Sequence, residues 1–209
     1  MLDFIENEID ETENIVVVGN SIGGYTSAVM ASKASRKVAG LVLLNSAGPI
    51  GVDHKQQGDV IEDKKKPPPQ FIIDLTSKIL FTYLQNNAKE ILGRCYPTNP
   101  QAADHGLASE IRKCSNDPGS LYVFQSVFFL PKPEPLNVLC TKFGRPVLIL
   151  QGSLDPLNDA VGRAKKLNSL IPRSTLVFLE SGHCPHDESP EQVNKAIMEF
   201  ALQNIAITT

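Results

Sequence analysis

The apolar residues of the chain fall into two alternating patterns, which predict strands followed by helices. Four short segments are apolar without polar alternation, as in strands that are buried on both faces. These segments are residues 15–18, a stretch within 38–48, 147–151 and 175–179. Helical spacing follows the first segment over 21–34, separates the last two over 159–171, and resumes at Pro190. The alternation predicts an α/β fold with a mostly parallel sheet flanked by helices.

The alternation is interrupted over residues 51–141. This interval has helical stretches at 71–92, 101–113 and 120–130, with prolines at their joints, and contains no strand pattern. We therefore predict three parts. They are an N-terminal part of the core over 1–50, a helical insertion that caps the sheet edge over 51–141, and a C-terminal part of the core over 142–209.

The first predicted strand runs directly into Gly19-Asn20-Ser21-Ile22-Gly23, a G-x-S-x-G pattern at a strand-to-helix turn. A serine at the tip of such a turn has a strained backbone, so residues two positions away on either side are expected to be small. Gly19 and Gly23 would provide that room. A simple glycine turn with a helix-capping serine is the alternative. The pattern predicts Ser21 as a nucleophile and the N–H of Ile22 as an oxyanion-hole donor.

Two later strands end in the residue types that such a serine requires. A hydroxyl is a weak nucleophile, so it needs a general base that is oriented by an acid. Asp155 follows the strand at 147–151, and His183 follows the strand at 175–179. The carboxyl ends of parallel strands gather at one edge of a sheet. The order Ser21, Asp155, His183 is the chain order of the α/β-hydrolase triad.

Neighbouring residues offer alternatives for these roles. His186 lies on the same loop as His183, but His183 follows a glycine immediately beyond the strand and is the preferred base. The acid could also follow the strand next after the nucleophile. That strand ends in Asn45-Ser46, and the next carboxylate is Asp53, so Asp155 is preferred. Asp159 is expected to cap the following helix. Cys184 does not lie at a sharp strand-to-helix turn, so it is expected to be a packing residue and not a nucleophile.

Charge and cysteine content exclude several classes of function. The net charge of −3 gives no electrostatic reason to expect nucleic acid as a partner. The basic run at 64–66 precedes three prolines and is expected to be a solvated connector. No apolar run approaches the roughly 18 residues of a membrane span. The four cysteines form no C-x-x-C pair, which favours reduced thiols and a reducing compartment. We expect no metal and no organic cofactor.

Several segments resemble one branch of the α/β-hydrolase family. They are "GNSIGGYTSA", "GLVLLNSAG", "PVLILQGSLDP" and "GHCPHDESPEQVN". The branch occurs in plants, algae and cyanobacteria and includes the pheophytinases and chlorophyll dephytylases. The resemblance implies that Ser21 is the nucleophile, Asp155 the acid and His183 the base of an ester hydrolase. It also implies a small-molecule hydrophobic ester substrate, a phytyl-type ester being one candidate, and the chloroplast as one candidate location.

Other functions are open within and outside this family. The same triad serves C–C bond hydrolysis and peroxide chemistry in related proteins, because a fold does not fix a function. In the family that the chain resembles, further strands and a second oxyanion donor precede the nucleophile, and nothing before Ser21 supplies them. We therefore expect the chain to be an N-terminally truncated form of a longer hydrolase. A catalytically impaired fragment that acts as a binding module, or has no function, is the hypothesis from a different class.

Overall fold

A computed structural model describes residues 2–9, 14–34, 36–51, 69–127, 132–157 and 159–205. Its four strands form one parallel sheet in the order β1-β2-β3-β4. The strands are β1 (Ile15–Asn20), β2 (Val38–Leu44), β3 (Val147–Gly152) and β4 (Ser174–Leu179). All four lie where the apolar segments predicted them. The parallel α/β architecture is thus confirmed.

The two central strands are apolar throughout because both of their faces are covered. Every residue of β2 and β3 is buried, whereas β1 and β4, at the two edges of the described sheet, are partly exposed. The register pairs Asn20 with Leu44, Leu44 with Leu150, and Gly152 with Leu179. The carboxyl ends of all four strands therefore meet at one edge of the sheet.

Helices pack on both faces of the sheet and form two separate apolar clusters. Leu41 and Leu43 of β2 point to one cluster, which includes residues of α1 (Leu2–Glu8), α2 (Ile22–Lys33), α7 (Leu136–Phe143) and α8 (Ala160–Leu170). Val42 and Leu44 point to the other, which includes residues of α10 (Pro190–Asn204). The period-2 alternation of a strand explains why adjacent residues of β2 reach opposite clusters.

The chain divides into two compact units. Unit 1 comprises Met1–Gly51, Cys95–Asn99 and Glu134–Thr209, and it contains the whole described sheet. Unit 2 comprises Val52–Arg94 and Pro100–Pro133. The boundary predicted at residue 141 differs from this division because it falls inside α7, which belongs to unit 1 and buries Leu136, Leu139, Cys140 and Phe143.

The described part of unit 2 is helical, with boundaries that differ from the predicted ones. The stretch predicted at 71–92 is two helices, α3 (Gln70–Asn86) and α4 (Ala88–Cys95), the last residue of which belongs to unit 1. The stretch predicted from 101 begins later, as α5 (His105–Ser115), because Asp104 caps it by accepting a hydrogen bond from Leu107 N at 2.7 Å. The helix predicted at 120–130 is described as α6 (Ser120–Ser126).

Contacts between its helices hold unit 2 together. Gln125 of α6 donates to Ser77 Oγ of α3 at 2.9 Å, and the rings of Phe81 and Phe124 lie 5.4 Å apart. The basic and proline-rich run at 64–68 lies outside the described residues, as does Asp53. No helix in the described ranges is long and apolar enough to cross a membrane.

Candidate active site

Ser21 occupies a strained turn between β1 and α2. Its φ of 54° and ψ of −121° lie in a region that residues with a side chain seldom adopt. Backbone hydrogen bonds hold it there: Ser21 N donates to Leu44 O at 3.0 Å, and Ser21 O accepts from Ala47 N at 2.9 Å. Its hydroxyl makes no capping hydrogen bond to α2. The alternative of a helix-capping serine is therefore wrong.

Two of the three glycines around Ser21 are required by close packing. A Cβ on Gly19 would collide with the carbonyl group of Gly23, and a Cβ on Gly24 would lie 2.7 Å from Ser46 Oγ. A Cβ on Gly23 would meet nothing within 4 Å. The prediction that Gly23 must be small is therefore wrong, because its missing side chain would point into open space. The residue that must lack a side chain is Gly19, because the backbone of Gly23 occupies the space that its Cβ would need.

The N–H of Ile22 is the first of α2. Among the described residues it donates no hydrogen bond to the backbone or to a side chain. A helix N-terminus favours negative charge, because its first N–H groups have no partner within the helix. The position thus suits a donor to an oxyanion formed at Ser21.

Asp155 and His183 are hydrogen-bonded side chain to side chain. His183 Nδ1 lies 3.0 Å from Asp155 Oδ2, and the Asp155 side chain has no solvent exposure. Asp155 Oδ1 accepts a hydrogen bond from Leu157 N at 3.0 Å. Both carboxylate oxygens are therefore engaged, which orients the carboxylate toward the imidazole. Asp159 caps α8 through Gly162 N, as predicted.

Ser21 and His183 line the same cavity of about 270 Å³. The other lining residues are Asn45, Ser46, Ala47, Gly48, Leu157 and Arg163. Arg163 donates to Ser46 O at 3.2 Å and to Gly48 O at 2.6 Å, and burial lowers its pKa. No hydrogen bond joins Ser21 Oγ to His183 within the described ranges, an arrangement common in hydrolases without bound substrate. A larger cavity of about 320 Å³ beside β4 and α10 contains none of the predicted site residues.

Two asparagines at the ends of β1 and β2 hold the loop that carries His183. Asn20 Nδ2 donates to His183 O at 2.9 Å, and Asn45 Nδ2 donates to Gly182 O at 2.7 Å. Asn45 Oδ1 also accepts from Gly152 N at 2.7 Å. Sequence reasoning missed both residues, although an asparagine directly after an apolar strand was a visible signal.

Glu188 and the segment Cys95–Asn99 complete the support of this loop. Glu188 belongs to the short helix α9 (Pro185–Glu188) and is 5% exposed. Its carboxylate accepts hydrogen bonds from Gly182 N, from Thr98 N at 2.7 Å and from Thr98 Oγ1 at 2.6 Å. His183 N donates to Cys95 O at 2.9 Å. Every backbone polar group of Gly182 and His183 is thus hydrogen-bonded.

The remaining candidates, His186 and Cys184, do not line the cavity that contains Ser21. His186 is exposed. Cys184 is half-buried, and burial raises the pKa of its thiol, which makes it a poor nucleophile. The described residues contain no group of three metal-ligating side chains.

Comparisons with known proteins give the family. Residues 1–190 match the model of the alpha/beta hydrolase fold family. The chain is 26% identical over 203 residues to "Pheophytinase, chloroplastic" of Arabidopsis thaliana, covering 91% of this chain and 41% of that relative, so it spans about two fifths of the relative's length.

Two solved structures show the likeness in fold. A thermophilic esterase from Thermogutta terrifontis superposes with a TM-score of 0.65 at 20% identity, covering 97% of this chain and 70% of the esterase. A meta-cleavage product hydrolase from Pseudomonas fluorescens IP01 gives a TM-score of 0.66 at 22% identity, with coverages of 97% and 70%. The chain belongs to the alpha/beta hydrolase fold family.

Proposed function

We propose that the protein is a serine hydrolase of carboxylic esters, with Ser21 as nucleophile, His183 as general base and Asp155 as the acid that orients it. The observation that carries this proposal is the cavity that Ser21 and His183 share, with Asp155 hydrogen-bonded to Nδ1 of the imidazole. A strained serine, a base and an orienting carboxylate are the groups that nucleophilic catalysis needs.

The proposed mechanism has two half-reactions. Ser21 Oγ attacks the ester carbonyl carbon while His183 Nε2 accepts its proton, and the N–H of Ile22 donates to the resulting oxyanion. His183 then protonates the departing alcohol, which leaves an acyl group on Ser21. A water molecule, deprotonated by His183, attacks the acyl-enzyme, and the carboxylic acid product departs.

We further propose that the ester substrate is hydrophobic. Supporting this, Phe71, Leu75, Ile79 and Tyr83 recur every four residues on α3 and are between 58% and 70% exposed. Exposed apolar surface of this kind often marks a binding site. The similarity to pheophytinase supports a phytyl-type ester and a chloroplast location. C–C bond hydrolysis is the second candidate, because the same set of groups could carry it out and a fold does not fix a function.

Active-site labelling tests the proposal directly. A fluorophosphonate probe is expected to label Ser21, as located by peptide mapping, and p-nitrophenyl butyrate is expected to be hydrolysed. Ser21→Ala should lose both activities. Ser46→Ala is the matched control, because Ser46 lines the same cavity and its hydroxyl, within the described part of the chain, donates to Ala47 O alone. Labelling that persists in Ser21→Ala would overturn the assignment, and a folded wild type that is neither labelled nor active would favour a binding module.

A further inference from the structure

We propose that Asn45 is a positioning residue that fixes the distance between the Asp155-bearing end of β3 and the loop that carries His183. This inference rests on the proposed function. Asn45 is 4% exposed, and its carboxamide is bonded on both sides: Oδ1 accepts from Gly152 N and Nδ2 donates to Gly182 O, each at 2.7 Å.

The two peptide groups that Asn45 contacts lie on either side of the Asp155–His183 hydrogen bond. Gly182 directly precedes His183, and Gly152 O accepts from Asp155 N at 3.3 Å. A closed ring of contacts therefore runs from Asn45 through Gly152, Asp155, His183 and Gly182 back to Asn45. A planar carboxamide has a fixed separation between its oxygen and nitrogen, so it acts as a spacer across this ring.

Asparagine meets the requirements of this position better than other residues. The position requires one donor and one acceptor on the same short planar group, which a carboxylate or an apolar side chain of similar size does not provide. A carboxylate would place an oxygen against Gly182 O. The backbone of Asn45 has a φ of 40°, in the left-handed region that asparagine tolerates.

Asn137 provides a matched control for a purely structural role. It is also 4% exposed and uses its carboxamide oxygen, which accepts from Gly51 N at 2.8 Å. It lines no part of the cavity that contains Ser21 and His183. Substitution of either residue therefore removes a hydrogen bond of a buried amide. Of the two, Asn45 alone contacts Gly152 and Gly182, which adjoin the Asp155–His183 hydrogen bond.

The test compares Asn45→Gly, Asn45→Asp and Asn137→Ala. Glycine removes the amide without straining a positive φ, and aspartate keeps the acceptor for Gly152 N but replaces the donor to Gly182 O with an oxygen. Ester hydrolysis gives kcat and KM, thermal unfolding gives Tm, and proton NMR follows the His183 Nδ1–H resonance. For both Asn45 variants we expect kcat to fall by about 10- to 100-fold with KM within about threefold, since small misplacements of catalytic groups have large effects. The Nδ1–H resonance should shift or broaden.

Asn137→Ala should lower Tm but leave kcat and the resonance unchanged. The proposal is overturned if Asn45→Gly keeps wild-type kcat and the His183 resonance, or if Asn137→Ala alters both equally. The NMR readout needs no turnover, so a wild type without esterase activity would sink the proposed function while the resonance still tests Asn45. If the variants do not fold, hydrogen exchange in the wild-type protein tests the role of Asn45. Fast exchange of the Asn45 side-chain amide protons, with a persistent His183 Nδ1–H resonance, would refute it.

Discussion

His183 Nδ1 lies 3.0 Å from the buried Oδ2 of Asp155, although the two residues follow different strands. The contact arises because β3 and β4 are parallel neighbours whose carboxyl ends are in register at Gly152 and Leu179. The loops that follow them therefore leave the sheet side by side. Of the two, His183 lines the cavity that contains Ser21.

The first prediction separates the two histidines of the loop. His183→Ala should lower the kcat of ester hydrolysis by about 10³-fold or more, because the general base is lost. His186→Ala should leave kcat within about threefold of wild type, because His186 is exposed and lies outside the cavity lining. Steady-state kinetics on p-nitrophenyl butyrate measures both. The reverse pattern would mean that His186 is the base.

The second prediction concerns the glycines of the Ser21 turn. Gly19→Ala and Gly24→Ala should each lower the free energy of unfolding by about 1–3 kcal/mol, because the new methyl groups collide with neighbouring atoms. Gly23→Ala should keep or raise it by up to about 1 kcal/mol, because alanine favours the helix and meets open space. Urea unfolding of the three variants measures these changes. Equal losses at Gly19 and Gly23 would contradict the packing described.

The third prediction tests the buried carboxylate of Glu188. Glu188→Gln should lower the free energy of unfolding by about 1–3 kcal/mol, because an amide nitrogen would face the N–H of Gly182 or the donors of Thr98. Glu191→Gln removes the same charge at an exposed position and is the control. Thermal and urea unfolding compare the two. If both variants are equally stable, the Glu188 hydrogen bonds do not support the loop.

The fourth prediction concerns alkaline pH. Burial raises the pKa of the Cys140 thiol to about 12, from an ordinary value of 9.0. The unfolded chain therefore loses this proton first as pH rises above 9, so Cys140 stabilises the fold below pH 9 and loses that contribution between pH 9 and 12. Its share of the slope is at most about 1.4 kcal/mol per pH unit.

Urea unfolding between pH 8 and 11 measures this slope. Cys140→Ala should reduce it, even though the smaller side chain lowers stability at every pH. Cys114→Ala is the control, because Cys114 is exposed. A slope that Cys140→Ala leaves unchanged would show that other groups cause the alkaline loss.

The fifth prediction addresses the substrate. Along a series of p-nitrophenyl esters from acetate to octanoate, kcat/KM should rise, because each methylene buried by the protein contributes up to about 0.8 kcal/mol. A maximum at acetate followed by a steady fall would exclude long hydrophobic esters. Ser21→Ala gives the background rate for every ester in the series.

The sheet and the central site residues could be predicted because their signals are local. Runs of apolar residues mark the strands, and Ser21, Asp155 and His183 each lie within four residues of the end of one of them. Helix α7 was missed because it has only eight residues and follows a run of prolines. Gly23 was wrongly assigned because sequence spacing does not give the direction in which a Cβ would point.

The residues that support the site could not be predicted in the same way. The hydrogen bond from Asn20 to His183 O spans 163 positions, and that from Asn45 to Gly182 O spans 137. Glu188 reaches Thr98 across 90 positions. Such pairs leave no periodicity or spacing in the sequence, and they become visible only when the strand ends are brought together.

The division of the chain also has an evolutionary consequence. The chain departs from unit 1 twice, over Val52–Arg94 and over Pro100–Pro133, and returns to it between these segments at Cys95–Asn99. Cys95 and Thr98 hydrogen-bond to His183 and Glu188. The end of the first segment and the start of the second are therefore held in place on unit 1. Residues can thus be gained or lost in these two segments, whose helices pack on each other, while the backbone around His183 is preserved. Homologues should differ in length in these two segments and keep the length of Cys95–Asn99.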